Sequence, residues 1–306
     1  MLAKTATSLS QALLTLLLVS ALVFAVVSMS GDPVSLIVAG TPDRAVAEQL
    51  REDLGLEQPL VVRYGQWLLQ VIQGDLGFSR SRGQEVTTLI AQRLPRSLLL
   101  AGLSLAIATI IAVPAGVYSA VRRGGIGDRV IRAVAVVGQA APAFWVGALL
   151  ILLFSVRLGW LPVLSIGATA RPSAWILPSV TLAGFLTVAM LRLIRSGMLE
   201  VLDDEYVKLA RLKGASEMRV VWRHAFRNAL LPVLTFTAQY IGLIVTVAIV
   251  VEKVFAWPGM GLLGFEAILN RDLVLIQGFV LVSAGLVVAI NLAVDLLYAR
   301  LDPRAR

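Results

Sequence analysis

The chain has 306 residues, 58% of them hydrophobic and only 15% charged, with a mean hydropathy of +0.84. Charged residues make up about 25% of a typical soluble domain, so these figures exclude an ordinary soluble globular protein and a disordered chain. The net charge of +8 would suggest a nucleic-acid partner in a soluble protein; here the apolar fraction makes the membrane the first expectation.

A membrane-spanning helix needs about 20 consecutive apolar residues. In chain order the candidates are Ser8–Met29, Ser97–Val121, Val130–Val156, Ile176–Ile194, Pro232–Val251 and Val274–Ala299. Ser8–Met29 exceeds the 7–15-residue apolar core of a signal peptide and lacks an A-x-A site, so it is read as a retained span. Six spans put both termini on one side. The resulting fold class is all-α, a polytopic membrane protein with residues 1–306 as a single permease-like domain. The first loop, residues 30–96, holds amphipathic stretches at Asp43–Leu54 and Val61–Ile72, which predict short surface helices outside the cytoplasm. Residues 195–232 form the one long loop on the other side.

Sorting the charges supports an N-in, C-in orientation. With the N-terminus cytoplasmic, the inside segments hold 16 Lys and Arg against 8 acids, and the outside holds 11 of each. Lys and Arg accumulate on the cytoplasmic side of membrane proteins. The whole surplus therefore falls inside.

Sites for catalysis are scarce. There is no cysteine and one histidine, His224, which excludes thiol chemistry, Cys-ligated metals and multi-His metal sites. No G-x-x-x-x-G-K-[ST], H-E-x-x-H or G-x-S-x-G occurs. Gly259-Met260-Gly261-Leu262-Leu263-Gly264 follows a membrane helix instead of a strand, so it is not a dinucleotide fingerprint. The chain is not expected to be an enzyme.

The cytoplasmic loop carries more information. Asp203 and Asp204 can cap a helix over Glu205–Lys213, which Gly214 would stop. Ser216, with Glu217 in the first turn, can start a second helix through Met218, Val221, Trp222, Ala225 and Leu230, reaching Pro232 where the fifth span begins. Arg219, Arg223 and Arg227 form a basic row on it. Such an elbow, joined to two spans, suits either force transfer from a cytoplasmic partner or contact with anionic lipid.

The run Tyr206–Gly214, followed by His224-Ala225-Phe226-Arg227-Asn228-Ala229-Leu230-Leu231-Pro232, resembles the coupling loop of ABC importer permeases of the dipeptide/oligopeptide/nickel branch, most like its B-type subunit. Further pieces keep the family's order: Gly31-Asp32-Pro33, Leu54-Gly55-Leu56, Gly74-Asp75-Leu76-Gly77, Val251-Glu252, Pro258-Gly259-Met260-Gly261, Arg271-Asp272 and Leu301-Asp302-Pro303-Arg304. In place of the general loop's Glu-Ala-Ala this chain has Lys208-Leu209-Ala210, so Lys208 is not given the glutamate's role.

The resemblance implies a type I ABC importer permease fold in the bacterial inner membrane. It also implies a paralogous C-type permease, two cytoplasmic ATPases and an extracytoplasmic substrate-binding protein as partners, with peptides as cargo. It implies no cofactor in this chain, since ATP and Mg²⁺ belong to the ATPases. Carried onto this sequence, Ala210, Arg211, Lys213, Gly214, Ala215, Ser216 and Glu217 would form the ATPase-coupling loop. Ala210 and Gly214 would allow close approach, and Arg211 and Lys213 could meet acidic groups. His224 reads as a structural hydrogen-bonding residue. Among polar residues at membrane depth, Gln139 and Gln239 are candidates for pathway lining; interhelical hydrogen bonding is the alternative for them and for Gln277 and Asn291. A stand-alone secondary transporter is the competing reading, but it calls for an inverted repeat and none is visible.

Overall fold

The computed structural model describes residues 2–30, 57–163 and 171–301, apart from the side chains at 2–6, 231, 232, 234, 235, 238–247 and 294–301. Gly31-Asp32-Pro33, Leu54-Gly55-Leu56, the Asp43–Leu54 helix and the Asp302–Arg304 tail therefore lie outside the described residues. Among the described residues, four helices are long and apolar enough to cross a membrane, over Thr7–Met29, Val86–Val121, Ser173–Leu202 and Leu273–Ala293, and a bent pair would make a fifth crossing. The chain divides into two compact units, residues 1–92 with 263–306, and residues 93–262.

In the first unit α1 (Leu2–Met29) packs on α11 (Leu273–Leu301). The short helix α2 (Leu60–Ile72), expected from the amphipathic stretch at Val61–Ile72, turns Tyr64 and Trp67 toward α1. Both rings meet Phe24, at centroid distances of 5.6 and 5.4 Å, and the Tyr64 hydroxyl bonds Ser20 at 2.8 Å. A two-stranded hairpin follows, β1 (Phe78–Ser79) against β2 (Gln84–Glu85), with Ser79 opposite Gln84. Ser79 Oγ and Ser81 Oγ donate to Asp272 Oδ2 at 2.6 and 2.7 Å, while the Leu275 N–H donates to Asp272 Oδ1 at 3.1 Å. Asp272 thus caps α11 and holds the hairpin with one carboxylate. Burial pushes its pKa up, but these hydrogen bonds outweigh that and hold it below the usual carboxylate range.

Helix α3 (Val86–Val121) has 36 residues, against the expected Ser97–Val121. At 1.5 Å per residue it is about 54 Å long, well beyond an approximately 30 Å hydrocarbon core. Its first turns hold because Val86, Leu89 and Ile90 are buried at helical spacing. In the second unit, the predicted third span is not one rod. It consists of α4 (Ile126–Ala140) and α5 (Ala143–Leu150), continued by a π-helical stretch Ile151–Arg157, and the two halves meet at 104°. Pro142 causes the break. It disfavours helical backbone at the preceding residue, and Ala141 is extended at φ −80°, ψ 125°; the Pro142 carbonyl then accepts from Trp145 and Val146 to start α5.

Helix α6 (Ser173–Leu202) runs through the second unit's core, flanked by α4, α5 and α9 (Arg227–Val254). Small residues permit the closest approaches. A Cβ on Gly116 would lie 2.8 Å from Ile194 Cγ2, and one on Gly197 would lie 3.3 Å from the Ala229 carbonyl. The predicted fifth span, Pro232–Val251, lies within α9. Just past its end Glu252 is fully buried; it accepts from Ser97 Oγ at 2.6 Å and from the Leu262 N–H at 2.9 Å. Ser97 Oγ in turn accepts the Met260 N–H at 2.7 Å. Ser97 and Glu252 together satisfy first-turn donors of α10 (Met260–Leu269), which explains the glycine beside Pro258: a Cβ on Gly259 would overlap the Glu252 carboxylate.

Candidate functional site

The elbow at residues 203–232 forms as the sequence suggests, with one change in its second arm. Its first arm is α7 (Glu205–Leu212), with Asp204 at the N-cap position and Val207 wholly buried. Asp204 makes no side-chain capping bond, so its contribution there is charge at the positive helix end. Lys213 is the C-cap and Gly214 follows with φ +81°. The Gly214 N–H donates to the Arg211 carbonyl at 2.9 Å, and the Ala215 N–H to the Ala210 carbonyl at 3.2 Å. That pairing is the Schellman motif, which needs a left-handed residue at the position Gly214 holds.

Ser216 starts the second arm in an extended conformation, also without a side-chain cap bond. The arm is α8 (Glu217–Arg219), a π-helical stretch Val220–Phe226, and then α9 without interruption. The backbone stays helical through Pro232, where the sequence suggested a boundary. The i→i+5 bonding of a π-helix lengthens the repeat, and the buried set becomes Val220, Val221, Ala225 and Ala229. Of the apolar residues named on this helix, Val221 and Ala225 are buried, while Met218 and Trp222 are 70% and 41% exposed. Arg219, Arg223 and Arg227 remain exposed as the predicted basic row. The two arms are tied by Asn228 Nδ2, which donates to the Tyr206 hydroxyl at 2.6 Å and to the His224 carbonyl at 3.2 Å.

The loop candidates are thus brought together at the elbow's tip. Ala210 and Ala215 are half-buried; Arg211, Lys213, Gly214, Ser216 and Glu217 are exposed. Arg211 Nε donates to Glu217 Oε1 at 3.0 Å, closing the turn with an ion pair inside the chain. Leu212, which the sequence reading passed over, is 85% exposed beside Gly214. Leu212 lies five residues, about 140° of helix, beyond the buried Val207, so it points away from the core.

Gln139 is exposed at the α4–α5 break. Its neighbours Gly138 and Ala141 line a cavity of about 240 Å³ with Ala143, Val146, Thr181, Gly184 and Phe185. The side chain of Gln239 lies outside the described residues. Gln277 is buried and its Nε2 has no hydrogen-bond partner among them; Asn291 is exposed. Among the described residues no group of three or more His, Cys, Asp or Glu could hold a metal ion.

The family model described as binding-protein-dependent transport system inner membrane component matches residues 112–306, and the model for the N-terminal part of such membrane components matches residues 1–101. A putative peptide transport system permease protein of Brucella abortus (strain 2308) is 41% identical over 305 residues, covering 97% of this chain and 96% of the relative. The glutathione transport system permease protein GsiC of Pectobacterium atrosepticum is 42% identical over 296 residues, 95% of each chain. Among solved structures, a chain of the inward-facing MetNI methionine ABC transporter matches with a TM-score of 0.59 at 18% identity, covering 70% of this chain and 96% of that one. That likeness concerns the fold.

Proposed function

Since the chain belongs to the family of inner membrane components of binding-protein-dependent transport systems, we propose that it forms half of the translocation pathway of an ATP-driven peptide importer. Its other half would be a paralogous C-type permease. Two cytoplasmic ATPases would bind the elbows of the two permeases, and an extracytoplasmic binding protein would deliver cargo. Six spans with both termini inside fit this reading: they put all eight surplus charges, and the elbow, on the ATPase side. The names of the relatives in Brucella and Pectobacterium favour short peptides and glutathione as the cargo class.

The observation that carries the coupling assignment is the elbow's tip. Leu212, in the last turn before the Schellman motif, is 85% exposed and flanked by Arg211 and Lys213. An exposed leucine between Lys213 and Arg211, the latter paired with Glu217, suits a groove with an apolar floor and a polar rim. Coupling needs no chemistry in this chain; it requires only that the tip fit the ATP-closed ATPase pair differently from the open one. Ala210 and Gly214 keep the tip narrow. Gln139, at the α4–α5 cavity, and Gln239 are proposed to line the pathway.

The test is co-purification from native membranes through a tag on this chain. Replacing Ala210 and Gly214 by bulky residues should release the ATPase subunits while the permease pair persists. An unchanged complex with unchanged transport-coupled ATP hydrolysis would overturn the assignment.

A further inference from the structure

One buried carboxylate in the second unit joins three helices at the foot of α6. Asp128, in the first turn of α4, has a side chain only 1% exposed. It accepts from Arg195 on α6 through Nε at 3.0 Å and a terminal guanidinium nitrogen at 3.3 Å. Ser119, near the end of α3, donates to Asp128 Oδ1, and its Oγ accepts from Arg195 Nε at 3.0 Å. The Gly124 N–H, in the turn between α3 and α4, donates to Asp128 Oδ2 at 3.0 Å, and Arg132 Nε lies 3.3 Å from Oδ1. Helices α3, α4 and α6 each contribute a group.

Two features argue for more than stability. A buried ion pair costs desolvation, and well-packed apolar residues often replace one without loss, so such a pair is better evidence of fixed geometry than of stabilisation. Its position is also mechanical. Arg195 lies seven residues before the end of α6 at Leu202, and α7 of the elbow starts three residues later at Glu205. One residue before Arg195, Ile194 packs against Gly116, where the missing side chain lets α3 and α6 approach closely. At the far end of α4 stands the Pro142 break and the cavity beside it.

We propose that the Ser119–Asp128–Arg195 clamp is the positioning joint that makes α4 follow α6 when the elbow is displaced, so that elbow movement reaches the α4–α5 break. The inference rests on the ATPase-docking reading of the elbow. A latch serving only to stabilise the fold would affect how much complex forms; a transmission joint sets how much cargo moves per ATP hydrolysed.

The experiment uses the complex co-purified from native membranes and reconstituted in proteoliposomes. Uptake of labelled alanyl-alanine, with glutathione as a second probe, is measured alongside ATP hydrolysis. Asp128→Asn and Arg195→Met should leave hydrolysis within about twofold while uptake per ATP falls about tenfold, inside the usual range of coupling between sites. The double variant should lose no more than either single one, since both remove the same joint. Arg195→Lys, which keeps charge and loses the two-pronged contact, should recover part of the ratio. Uptake and hydrolysis falling together in proportion to assembled complex, or an unchanged ratio, would overturn the proposal. If Asp128→Asn fails to assemble, Ser119→Ala and Arg195→Lys read the same ratio, and an unchanged value there overturns it equally. Absence of ATP-driven uptake by the unsubstituted complex is a separate result, which sinks the functional reading instead.

Discussion

The clamp at Asp128 and the elbow at Gly214 are linked through α6, which carries Arg195 and ends three residues before α7 begins, and they are built from opposite materials. The clamp buries a carboxylate and surrounds it with donors from three helices. The elbow has one buried valine in its first arm, an exposed ion pair at the tip and a leucine facing outward. Where a segment must transmit displacement without yielding, its polar groups are buried and fully partnered. Where it must meet another protein, its own contacts are few and its surface is left unspent. The difference predicts which substitutions break function by altering the joint, and which break it by altering the surface.

The largest effect should follow substitution at the clamp, where coupling is lost although the elbow is intact. The next should come from Gly214. Gly214→Ala forces a side chain into left-handed backbone at a cost of about 1–2 kcal/mol, although nothing lies within 4 Å of the added carbon. Gly214→Asn accepts that backbone more readily and adds bulk to the exposed tip. If the tip meets the ATPase, co-purified ATPase falls with Asn as well as with Ala; recovery with Asn would mean that only the turn's conformation matters. Ala210→Trp should act like Gly214→Asn.

A smaller effect concerns Asp272, another buried carboxylate with convergent donors, on the first unit. Its pKa is held below the ordinary range, so its contribution is present above the unfolded value of about 3.9 and is lost as pH falls through the lower folded value. Amide exchange at Ser81 and Leu275, corrected for intrinsic rate, should stay protected at neutral pH and rise only below about pH 4. Asp272→Asn should raise it about tenfold at neutral pH, the scale of one hydrogen bond to a charged group. Unchanged exchange in that variant would remove Asp272 as the hairpin's anchor. Smallest of all is the Arg211–Glu217 pair, exposed on both sides and worth about 0–1 kcal/mol. Glu217→Gln should leave thermal stability nearly unchanged; a large loss would mean the turn depends on the ion pair and not on Gly214.

Much of the elbow was legible in the sequence because its determinants are local. Asp204, Gly214 and Ser216 mark the ends of short helices, and the structure places a left-handed turn where the glycine stands. The π-helical stretch Val220–Phe226 was not legible, because the apolar spacing of three and four residues reads as an ordinary helix. Pro142 was visible inside the third span; the 104° bend was not, since Pro114 and Pro178 lie inside helices that continue through them. The clamp and the Ser97–Glu252 pair join residues 67 and 155 positions apart. No pattern in a single chain announces partners that only folding brings together. Asp128 read simply as one cytoplasmic acid among eight.

Leu212→Asp tests the central claim most directly. At 85% exposure the leucine contributes almost nothing to this chain's packing, so the variant should reach the membrane in normal amount and melt at the same temperature. ATPase subunits recovered with the tagged chain should fall at least about tenfold, the cost expected of a charge placed in a desolvated contact, and ATP-driven uptake should fall with them. Full recovery of the ATPases and of uptake would contradict the account, because the elbow's tip would then not be the surface through which this permease is driven.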